Sequence, residues 1–134
     1  MSTYFKDSLL LKTFVEVDTQ MSHLSRKISS DQHLEIGDDP NLVQYIENAL
    51  LQIQRKVKTI EPYFDLGATS LSRANIYFSL IKHITDAVQY LQDVRSKDYG
   101  SQQHTREFLN KLRNCEDGIN AISDIIGTST DIVH

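Results

Sequence analysis

The chain has 134 residues and a mass of 15.4 kDa, which suits one domain. Hydrophobic residues (40%) outweigh what a disordered chain carries, while 5 glycines and 2 prolines are too few for the turns of an all-β sandwich. A formal charge of −4, from 14 Lys+Arg against 18 Asp+Glu, disfavours phosphate-backbone binding, so no nucleic-acid partner is expected.

Four amphipathic segments follow one another. The first spans about Thr3 to Ser29, with Phe14, Val17, Met21, Leu24 and Ile28 spaced 3, 4, 3, 4. That spacing is the seam of a helix packed lengthwise against other helices. Ser29 to His33 breaks it, and Gly37-Asp38-Asp39-Pro40 reads as a helix start, with Asp39 as cap and Pro40 at the first helical position. The second segment, about Pro40 to Ile60, carries Ile46, Leu50, Ile53, Val57 and Ile60. Pro62 and Gly67 then interrupt the chain, as a turn or as a kink in one long helix. The turn is favoured, because Gly67 offers a stop and Asp65 to Ser70 offers new caps.

The third segment spans about Ala68 to Ser96, with the seam Tyr77, Ile81, Ile84, Val88 and Leu91. Asp98 to Ser101 ends it. The fourth spans about Gln102 to Ile126, with Leu112, Cys115, Ile119, Ile122 and Ile126. Gly127 reads as its stop, and 128–134 as a frayed tail, leaving 1–127 as a single helical domain. The predicted class is all-α: an antiparallel four-helix bundle, or an elongated coiled-coil-like assembly whose seams another chain completes.

Chemistry is sparse. Cys115 sits at helical spacing from Leu112 and Ile119 and reads as a small buried residue in a reducing compartment. No two of the five histidines are four apart, and no Glu-x-x-His pair, phosphate loop or nucleophile elbow occurs, so neither cofactor, metal nor enzymatic activity is expected. Arg55-Lys56-Val57-Lys58 is the longest basic cluster and reads as a solvated face, allowing at most peripheral membrane contact. No stretch approaches the ~20 apolar residues of a membrane span, and the start of the chain lacks the pattern of a signal peptide; a cytoplasmic location is expected.

Two features point to partners. The Tyr63-Phe64 pair lies in the break, where burial is least assured. The seam Phe14, Val17, Met21, Leu24 and Ile28 is followed by the longest link, so the first helix either completes its own bundle or pairs with a partner chain. Other protein subunits, or further copies of this chain, are the expected partners through helix packing.

The stretch Arg55 to Tyr63, then Leu71-Ser72-Arg73, then Leu80 to Ile84, resembles the N-terminal helical region of vesicle-tethering subunits of the exocyst and of the conserved oligomeric Golgi complex. The resemblance covers roughly residues 50–94. It implies a non-enzymatic assembly subunit of membrane trafficking whose helices pack against those of other subunits. The competing reading is a regulatory bundle or adaptor, like the N-terminal domain of a SNARE, that grips a partner helix.

Overall fold

The computed structural model describes residues 2–29, 40–65, 67–96 and 102–133, with side chains over 7–29, 40–65, 67–94 and 105–127. Four helices account for nearly all of it: α1 (Ser2–Ser29), α2 (Pro40–Lys58), α3 (Leu71–Ser96) and α4 (Gln102–Val133). A single 3-10 turn, Glu61–Phe64, stands between α2 and α3. At ~1.5 Å per residue the 19-residue α2 is about 28 Å long and the 32-residue α4 about 48 Å.

The helices surround one core in the order α1–α2–α3–α4, each packed on the next and α4 returning to α1. Cross-helix pairs fix the directions. Lys27 lies over Tyr45 and Lys56 reaches Glu16, so α2 runs against α1. Gln54 bonds Thr85 while the Tyr77 hydroxyl bonds the Val57 carbonyl, so α3 runs against α2. Tyr90 stacks on Phe108 while Leu80 meets Gly118, so α4 runs against α3. The all-α antiparallel bundle is therefore the fold, and its seams close within one chain.

The core is a line of side chains from each helix, alternately three and four residues apart. Leu10, Phe14, Val17, Met21, Leu24 and Ile28 come from α1, and Val43, Ile46, Leu50, Ile53 and Val57 from α2. Phe108, Leu112, Cys115, Ile119, Ile122 and Ile126 come from α4. Burying an aliphatic or aromatic side chain of this size contributes roughly 1.5–3 kcal/mol. On α3 the predicted line needs correction. Leu80 and Ala87 share the core with the predicted Tyr77, Ile84, Val88 and Leu91, whereas Ile81 packs only partly buried on the flank. Both lines are apolar on α3, so its sequence pattern fits two neighbouring faces.

The break between α2 and α3 is a turn. After Lys58 the chain tightens, with the Tyr63 N–H bonded to the Ile60 carbonyl. Pro62 falls in the first turn of the 3-10 segment, where its missing donor costs nothing. Gly67 then takes φ +87°, a left-handed conformation that only glycine adopts without strain, beside the bond from Ala68 N–H to the Asp65 carbonyl. The Ser70 hydroxyl accepts from the Arg73 N–H, so Ser70 is the cap and the helix begins at Leu71 rather than at Ala68.

One boundary differs further. Gly127 does not stop α4, which continues to Val133. A lone glycine costs a helix about 1 kcal/mol, too little to end one already anchored by Ile119, Ile122 and Ile126. The expected cap Asp39 and the breaks at 30–39 and 98–101 lie outside the described residues.

One end of the bundle carries a buried ion pair. Asp7 and Arg73 occupy core-line positions on α1 and α3 and meet across the bundle, with Nη1 donating to Oδ1 at 2.9 Å and Nη2 to Oδ2 at 3.1 Å. Next to them Phe64 stacks on Tyr77, centroids 4.2 Å apart, and meets Phe14 edge-on at 6.3 Å. The 3-10 turn thus drops an aromatic plug into the core.

Two predictions follow from this packing. Ile53→Ala, Ile84→Ala and Ile119→Ala are each expected to lower unfolding free energy by about 2–5 kcal/mol in denaturant titration, and Ile81→Ala by clearly less. Asp7→Asn or Arg73→Met alone should cost about 3–5 kcal/mol by leaving one buried charge unpaired, whereas the combined Asp7→Leu/Arg73→Met should recover most of the loss. Equal losses for single and combined variants would show that the ion pair itself, rather than its completeness, supplies the stability.

Candidate interaction surfaces

The interior among the described residues is filled by the chain's own side chains. The five predicted contact residues of α1, Phe14, Val17, Met21, Leu24 and Ile28, are all buried in the intrachain core. They complete this bundle against α2 and α4, and in this fold they offer a partner no surface. The long seam was the correct sign of packing and carried no sign of whose helix would meet it.

The Tyr63-Phe64 pair divides. Phe64 is fully buried as the plug, while Tyr63 stays 37% exposed. The 3-10 geometry turns adjacent residues about 120° apart, so one points in and the other out. Phe64 is thus a core residue and Tyr63 a surface one.

Sequence reading missed the residues exposed on the outer face of α3. Leu71 is 69% exposed and Phe78 is 42% exposed. They are seven residues apart and share one face. Phe78 is held by edge contact with Tyr77, centroids 5.2 Å apart, and its outer side faces solvent. The signal was present: in the apolar run of α3 these two fall outside the 3, 4 line that Tyr77, Leu80, Ile84 and Ala87 define. Arg55, Lys58 and Lys82 are exposed nearby on α2 and α3.

On the other flank of α3, a groove of about 460 Å³ runs between α3 and α4, lined by Ile76, Ser79, His83, Asn114, Asp117 and Gly118 among others. Gly118 makes it. A Cβ there would stand 3.2 Å from the Leu80 side chain, so the helices approach closely and small residues leave a trough above the contact. A smaller groove, about 320 Å³, lies between α1 and α2 beside His23, Arg26 and Tyr45.

Cys115 is the one cysteine, and it faces the core. Burial pushes its thiol from 9.0 up to about 12, with the charges of Glu116 and Asp86 adding to the rise and Lys111 opposing it. A thiol so protonated is a poor nucleophile and serves as packing. Burial likewise raises the Tyr77 phenol far above its ordinary 10.0, with Glu61 and Asp65 adding to the effect. Among the described residues no three His, Cys, Asp or Glu side chains converge as metal ligands, and no helix is long and apolar enough to cross a membrane.

Compared with known proteins, the chain matches no family model, no curated protein and no solved structure.

Both raised groups favour the fold while neutral, so their contribution is complete below their unfolded values and is lost as pH climbs toward the folded ones. Stability is expected to hold to about pH 9 and to fall above it, Cys115 responding first and Tyr77 from about pH 10. Denaturant melts from pH 8 to 11 should show a shallower decline for Cys115→Ala than for the unchanged chain. A thiol reagent should label Cys115 at the rate of unfolding.

Proposed function

We propose that this chain is a protein-interaction module that works by helix-on-helix contact through its outer faces, as an assembly subunit rather than an enzyme. The observation that carries the reading is the apolar pair Leu71 and Phe78, exposed on the outside of a bundle whose core is already complete. Exposed aromatic and aliphatic anchors on a rigid helix are what helical partners grip. A free, preorganised helix face also spares a partner much of the ordering cost of association.

The finer placement, in a vesicle-tethering complex, is part of the proposal. Its support is the resemblance over residues 50–94. That stretch contains the second half of α2, the 3-10 turn and all of α3 but its last two residues, including both exposed anchors. A second reading, the adaptor that holds a partner helix in a groove, is favoured by the trough between α3 and α4 over Gly118.

Affinity capture from cell extract tests the reading. The intact chain is expected to retain a stoichiometric protein partner, and Leu71→Glu/Phe78→Glu to lose it while keeping its helical circular dichroism and cooperative melt. Loss of the partner on Gly118→Leu alone would favour the groove. Capture unaffected by every surface change would end the interaction reading of these faces.

A further inference from the structure

We infer that the outer face of α3 is a self-association surface, on which a second copy of this chain docks about a two-fold axis parallel to α3, each copy placing Phe78 in the α3–α4 groove of the other. This rests on the interaction-module reading and names the partner. Three features of the face carry it.

The first is shape. Phe78 projects from the flank of α3 toward α2, and the groove lies on the flank toward α4. Groove residues Asn75, Ile76, Ser79 and His83 bracket Phe78 along the helix. Knob and hole therefore stand at the same level on opposite sides of one helix. A two-fold axis along that helix keeps levels and exchanges flanks, which brings each knob to the other's hole.

The second is charge. The chain is acidic overall, yet the described outward positions of α2 beside α3 carry Arg55 and Lys58, both exposed. The flank toward α4 carries Asp86 and Asp117, also exposed. Glu61 and Asp65 are the acids nearest the basic side, at the bundle end.

The third is register. The bond from Gln54 to Thr85 puts Lys58 about level with Ile81, and the contact of Gly118 with Leu80 puts Asp117 at that same level. Docking in parallel therefore sets Lys58 against Asp117 of the second copy, twice. An axis perpendicular to α3 would instead set basic flank on basic flank, so charge selects the parallel arrangement. Lys82 lies closest to the axis and has the reach to turn toward Asp86 of the second copy. The contact is isologous and closes at two copies.

Sedimentation velocity of the full chain, from micromolar to several hundred micromolar, is the test. A concentration-dependent dimer that weakens as salt rises is expected. Phe78→Glu should leave a folded monomer. Lys58→Glu and Asp117→Lys, both at exposed positions, should each weaken dimerisation about tenfold or more, and the two combined in one chain should restore it. A monomer throughout, a Phe78→Glu variant that dimerises normally, a combined variant no better than the single ones, or growth beyond two copies would each overturn the inference. A monomeric chain that still captures another protein through Phe78 would sink self-association and leave the interaction-module reading intact.

Discussion

All four helices keep their buried side chains on a line that alternates steps of three and four residues, and every other feature of the bundle depends on that register. A repeat of seven residues holds a narrow stripe on one side of a helix for many turns. Four such stripes fill a common centre only if the helices lie nearly parallel and close to level. The levels are then pinned by what the flanks carry: Lys56 with Glu16, Gln54 with Thr85, Tyr90 with Glu107, Ser25 with Glu116. These polar pairs are partly or wholly exposed and contribute little energy each. Their value is directional, because a slip of one turn would break all of them together.

Charge enters the stripe itself at Asp7 and Arg73. Apolar residues there would pack as well, and replacement of buried ion pairs by apolar side chains is often neutral or stabilising. The pair does something an apolar layer does not, since it joins α1 to α3 across the bundle rather than to its neighbours in the ring. A core of Leu and Ile tolerates exchange of helix positions. A lone acid and a lone base at one end do not, and they discriminate against arrangements in which one of the two helices is inverted.

Fold class and most of the core were legible because periodicity reports burial directly. Every predicted seam residue of α1, α2 and α4 is buried. The failures have physical causes. On α3 the residues Leu80 and Ile81 stand on two overlapping apolar lines, and packing buries Leu80 and leaves Ile81 on the flank, while Ala87 and the predicted Val88 are both buried. Asp7 and Arg73 were missed because a charge at a stripe position looks like the end of a stripe. Gly127 misled because a glycine ends a helix only when tertiary contacts do not carry it through. The surface proposals rest on Leu71 and Phe78, which the sequence hid inside an apolar helix: exposure is a property of the neighbours, and period alone does not count neighbours.

The ends of the bundle are unlike. Where Asp7 meets Arg73, α1 begins, α4 finishes, and the Phe64 turn passes between. Ser29 and Ser96, where α1 and α3 finish, and Pro40 and Gln102, where α2 and α4 start, lie at the opposite end, as the antiparallel order requires. The start of α1 and the end of α4 thus share one pole. A chain immobilised through the start of α1 or the end of α4 would stand on that pole with its long axis away from the support and the opposite pole facing outward.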